Sequence, residues 1–134
     1  MMTDRADRQI TVENWIRKTF GKKSIEDKHE RIARLLEEAF ELAQAESYPI
    51  ETIRKIADHV YSKPAGWPQQ ELGGVGVCVL AYAAAAGYNA DDMEARELAR
   101  ILALPTKHFR GRHKKKADAG IAIPPPGTGA ADQP

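Results

Sequence analysis

A single cysteine, Cys78, stands among 134 residues. An internal disulfide framework is therefore excluded, which fits a reducing compartment, and no Cys/His spacing supports a zinc site. Net charge is nearly absent too, at +1, so no global field draws the chain to nucleic acid or to a membrane surface. The opening residues MMTDRADRQI lack the apolar core of a secretory signal, and the expected location is the cytoplasm. No stretch alternates apolar and polar residues as a half-buried strand does. The one long uncharged run, Leu72 to Ala90, is dominated by alanine and glycine and has acidic flanks. It reads as a buried bundle helix rather than a membrane span.

What is present is helical periodicity. Val12, Trp15, Ile16 and Phe20 recur at helical spacing up to Gly21. Ser24 opens a capping-box pattern for a second helix running to about Ser47, whose core stripe is Ile32, Leu35, Leu36, Ala39, Phe40 and Ala43. After Pro49, IETIRKIADHVY places Ile50, Ile53, Ile56, Ala57 and Val60 on one face. Pro68 suits the first turn of a fourth helix ending near Ala86. A fifth carries Met93, Leu98, Ile101 and Leu102 to Pro105. The prediction is one all-α domain over 1–118, a bundle of about five helices. A Pro/Gly/Ala-rich arm or tail follows over 119–134. A helical chain this small often completes its core by oligomerising.

Chemistry is most legible in the acids. Glu37, Glu38 and Glu41 form one patch on the second helix, opposite its apolar stripe. A solvated face is the plain reading of such a patch. Glu71 alters the weighing, because it heads the all-round apolar helix, where the plain reading is an acid satisfied by the helix dipole. Antiparallel packing of the two helices would bring Glu71 beside Glu38 and Glu41. Carboxylates converging without counter-charge call for a hard cation such as Mg²⁺.

EEAFE, then ELGGVGVCVLAYAAAAGYN, then ELARILALPTKHFRGRHKKKADAGIA together resemble the MazG-like all-α nucleoside triphosphate pyrophosphohydrolases, in particular short phage-type members. The likeness spans roughly residues 25–122. It implies that Glu38, Glu41 and Glu71 ligate Mg²⁺, or Mn²⁺ in its place. Glu37 is implied as a ligand through water or as the group orienting the attacking water. The substrate is implied to be an NTP or dNTP, with a purine such as dGTP or GTP preferred, cleaved to monophosphate and pyrophosphate. The family's pattern ends in an aspartate where this chain has Gly74, which leaves the fourth place to water or another acid, Asp58 being nearest in sequence.

The basic segment KHFRGRHKKK admits a solvated charge run, a nucleic-acid contact or a phosphate clamp. The resemblance favours the clamp, with Lys107, Arg110 and Arg112 on the triphosphate, so nucleic acid is not the expected partner. Trp67, in the loop before Glu71, is the candidate for stacking a base. The implied assembly is a homodimer or homotetramer, in the host cytoplasm if phage-encoded. A competing reading is a non-catalytic helical relative that binds a nucleotide, nucleic acid or a partner protein.

Overall fold

The computed structural model describes residues 4–122. The chain is all-α, and among the described residues the helices are α1 (Arg5–Phe20), α2 (Lys22–Glu26), α3 (Lys28–Ala45), α4 (Ile50–Tyr61), α5 (Pro68–Ala86), α6 (Ala90–Ala103) and α7 (Thr106–Asp118). The part of the predicted tail beyond residue 122 lies outside this description.

Local chemistry explains the boundaries. Asp4 caps α1 by accepting from the Asp7 N–H at 2.8 Å, which starts the helix earlier than its apolar spacing suggests. Gly21, at φ +94°, turns the chain out of α1 while its N–H reaches the Arg17 carbonyl at 3.0 Å; a side chain is strained at that φ. The capping box expected at Ser24 is replaced by a cap one turn later. Asp27 is extended and accepts from the Glu30 N–H at 3.0 Å, so a carboxylate outcompetes the serine hydroxyl and α2 stands as a separate short helix. The left-handed Ser47 and the following Pro49 end α3. Pro68 opens α5, and the left-handed Gly87 closes it. The basic segment, given no structure in advance, forms a full helix after Pro105.

The described chain folds as two compact units, one of residues 4–37 with 94–122, the other Glu38–Met93. In the first, α1 packs against α2 and α7. Trp15 meets Phe20 and Phe109 edge to face, with centroids 5.7 and 4.9 Å apart, and Ile16 and Phe109 are buried beside them. Leu98 is buried on α6, and Glu94 of that helix pairs with Arg8 at 2.8 Å and Arg5 at 3.3 Å.

The predicted core stripes fare differently. Ile32, Leu35, Leu36 and Phe40 of α3, and Ile50, Ile56 and Val60 of α4, are exposed in the single chain. The expectation that α5 is buried on all sides is likewise overturned for one copy, since Leu72, Val75, Val77, Val79 and Leu80 are all exposed and only Ala83 is buried. The periodicity identified faces that avoid water, and among the described residues these faces stand exposed.

Candidate functional site

The predicted acids separate along α3. Successive residues of an α-helix point about 100° apart, so Glu37 and Glu38 serve different surroundings. Glu37 is engaged by Arg34 at 2.6 Å and by Lys116 of α7 at 2.6 Å. Partial burial pushes its carboxyl up. The hydrogen bond from Lys116, with the charges of Lys116, Arg34 and Arg112, outweighs that and holds it below its ordinary value. Two turns earlier Glu30 is buried, with the Arg34 Nε at 3.1 Å and Arg31 and His113 each at 3.8 Å. Burial lowers the Arg31 pKa, against the pull of Glu30. Arg34 also donates to the Ile121 carbonyl. Glu37 is thus an anion paired within a network that ties α3 to α7.

That network carries a pH signature. A depressed native pKa contributes stability at pH values above the free-glutamate value of about 4.3, and the contribution disappears as pH falls through the native value. Glu37→Gln should therefore cost about 1–2 kcal/mol near neutrality, as expected for charge-assisted hydrogen bonds about one-fifth exposed. It should also flatten the loss of stability between about pH 5 and pH 3. Parallel Tm-against-pH curves for parent and variant would remove Glu37 as the acid-sensitive group.

Glu38 and Glu41, at i and i+3, lie exposed on α3 within the second unit. Glu71 lies in the first turn of α5 in the same unit, its N–H donating to the Trp67 carbonyl at 3.0 Å. Its carboxylate rests over Gly66, where an added Cβ would stand 2.5 Å from Oε1. The absence of a side chain at 66 is what makes room for that carboxylate beside the loop. Trp67 is 74 % exposed at the N-cap of α5, an open aromatic face four residues before Glu71. Among the described residues no three Asp, Glu, His or Cys side chains come together as a metal-holding group. Glu38 with Glu41 is the carboxylate pair that one helix turn supplies. A Cβ at Gly74, where the family's pattern has an aspartate, would meet nothing within 4 Å among the described residues.

The basic residues of α7 also divide. Arg110 donates from Nε to the Thr19 carbonyl at 2.8 Å and from a terminal nitrogen to the Lys18 carbonyl at 3.4 Å. It satisfies carbonyls at the end of α1, where a cation is favoured by the helix dipole. Arg112 is exposed but near enough to Glu37 to lower its pKa. Lys107 is exposed in the first turn of α7. Lys116 and Arg34, which fix Glu37, were missed by sequence reasoning. Arg34 had a local signal in its i, i+3 spacing to Glu37, whereas Lys116 had none.

No single helix among the described residues is long and apolar enough to cross a membrane. Comparison with protein-family models, with curated proteins and with solved structures found no match.

Proposed function

We propose that the chain is a nucleoside triphosphate pyrophosphohydrolase of the MazG-like kind, working as a homo-oligomer on an NTP or dNTP, a purine such as dGTP or GTP first among them. The observation that carries this reading is the exposed pair Glu38 and Glu41, one turn apart on α3. Mg²⁺ is commonly held by one or two carboxylates plus substrate phosphates, keeping several waters, so this donor pair fits it without a closed protein cage. Bound there, Mg²⁺ or Mn²⁺ would supply charge neutralisation on the phosphates and polarisation of a water for attack at the α-phosphorus.

The remaining roles belong to the chain. Glu71 is the third carboxylate of the proposed set, its side chain lying against Gly66. Lys107 and Arg112 are the cations proposed for the leaving pyrophosphate, while Arg110 is engaged at the end of α1. Trp67 offers an exposed ring for the base. Oligomerisation is supported by the exposed apolar residues of α3, α4 and α5, since large exposed apolar patches mark interaction sites.

The test is pyrophosphate release from a panel of NTPs and dNTPs with and without Mg²⁺, for the parent, Glu38→Gln and Glu71→Gln. Metal-dependent release lost in both variants is the expected result, and the panel identifies the base. One observation favours a second reading, a non-catalytic helical binding protein: no three candidate ligands meet among the described residues. Absence of release from every nucleotide would leave that reading standing.

A further inference from the structure

We infer that the end of α1, the start of α2 and the adjoining flank of α7 form a surface for the phosphate backbone of double-stranded DNA. Lys18, Lys23 and Lys114 are its contacts, and Arg110 ties its two sides together. The charge of the chain is unevenly placed. Glu38–Met93 holds eight Asp or Glu against three Lys or Arg, a net −5, so the rest of this +1 chain carries +6. Charge asymmetry of this kind, with its cations gathered along a helix, is the footprint of a surface for a polyanion. Ion pairs then sort the cations of the first unit. Glu13, Glu30, Glu37, Glu94 and Glu97 are each held by an arginine. Lys18, Lys23 and Lys114 are exposed and, among the described residues, make no ion pair.

Packing brings these lysines to one seam. Arg110 of α7 donates to the Thr19 carbonyl at 2.8 Å and the Lys18 carbonyl at 3.4 Å, so the backbone of Lys18 lies beside the flank of α7 that Arg110 occupies. Lys114 stands one turn beyond Arg110 on that flank, about 40° around the helix from it. On α1, Lys18 follows Trp15 by one turn, and Trp15 is the ring that meets Phe109 of α7. Lys23 carries the surface past the Gly21 turn onto α2, which packs against α1. Phe109 and His113 are buried, which leaves the opposite face of α7 to water. Lys107 and Arg112, the cations proposed for pyrophosphate, are outside this set, and the surface stands apart from the catalytic reading.

The occupant follows from what this surface lacks. No large apolar side chain, aromatic ones included, is exposed from 13 to 31 or from 105 to 120. A single strand is held by stacking its bases on aromatic rings, and a membrane-surface helix sinks apolar side chains below the headgroups. Neither has a foothold here. Reading base edges or RNA 2′-hydroxyls draws on amide and hydroxyl side chains. Ser24, the hydroxyl beside Lys23, is taken by Arg31 at 3.2 Å. What remains is a set of cations for phosphates, which position a duplex without reading its sequence. Double-stranded DNA, with one charge per about 1.7 Å of axis, is the complementary polyanion.

The test is fluorescence anisotropy of a short labelled DNA duplex titrated with the full chain across a range of salt. Three lysines on phosphates give a slope of about −2.7 in log K against log salt, so binding weakens about 40-fold between about 50 and 200 mM. Duplexes of unrelated sequence bind alike. Lys18→Gln, Lys23→Gln and Lys114→Gln combined keep the helix content of the parent, lower affinity at least about 30-fold at the lowest salt and bring the slope near zero. Lys55→Gln with Lys63→Gln, on the acidic unit, leaves affinity and slope as in the parent. Four results would each overturn the inference. They are no binding at about 50 mM salt, a triple variant equal to the parent, an equal loss in the Lys55 and Lys63 variant, and tighter binding to duplex RNA or to phosphatidylserine vesicles than to duplex DNA.

Discussion

Truncation of Phe109 to alanine is expected to lower stability by about 3–5 kcal/mol, the usual range for removing a buried aromatic ring. Phe109 is where α7 meets α1, its ring edge-on to Trp15 at 4.9 Å and itself buried. Two losses combine. The first is the transfer of the ring from water, with the cavity it leaves. The second is the edge-to-face pairing, which adds about 0.5–1.5 kcal/mol beyond burial. Among the described residues few other side chains are buried, the apolar ones being Ile16, Ala83 and Leu98, so little else offsets the deletion. Urea unfolding at fixed protein concentration reads the effect as a lower midpoint. A shift worth less than about 1 kcal/mol would mean that Phe109 does not hold α7 to α1.

The second large effect is catalytic and concerns Glu41. On the proposed reading, Glu41→Gln removes one of the two carboxylates assigned to the cation on α3 while leaving helix propensity and volume nearly unchanged. Mg²⁺-dependent pyrophosphate release should fall at least about 100-fold, equivalent to about 2.7 kcal/mol of transition-state stabilisation. Raising Mg²⁺ should recover part of the loss, because the defect lies in metal affinity. Glu37→Gln should instead lose stability ahead of activity, because Glu37 is held by Lys116 and Arg34. Equal catalytic losses at Glu37 and Glu41, with no change in stability at Glu37, would reverse the assignment of these neighbouring acids.

The residues that could be read in advance are those whose partners lie within a few positions. The helices of Val12–Phe20, Ile50–Tyr61 and Pro68–Ala86 follow from spacing, proline and glycine, all local matters. Asp27 as a cap was locally readable too, but Ser24 satisfied the same pattern three residues earlier, and only the extended backbone at Asp27 separates them. Arg110 and Lys116 were not readable, since their partners Thr19, Lys18 and Glu37 lie some 80 to 90 residues away. A basic run declares its charge but not which of its members will be engaged. The apolar stripes of α3, α4 and α5 reveal a third kind of gap. Period identifies the face that shuns water and says nothing of whether the cover comes from the same chain or another.

The pairing of α1 with α7 sets the timing of biosynthesis. Trp15, Ile16 and Phe20 leave the ribosome about 90 residues ahead of Phe109, an interval of roughly 5–20 s at ordinary elongation rates. Throughout it, α1 has α2 to lean on but no α7. All of Glu38–Met93 is translated in the meantime, carrying bare apolar faces of its own. The nascent chain is therefore most open to chaperones and proteases just before α7 appears, and a message truncated ahead of Thr106 would yield a product in which the aromatic face of α1 never closes.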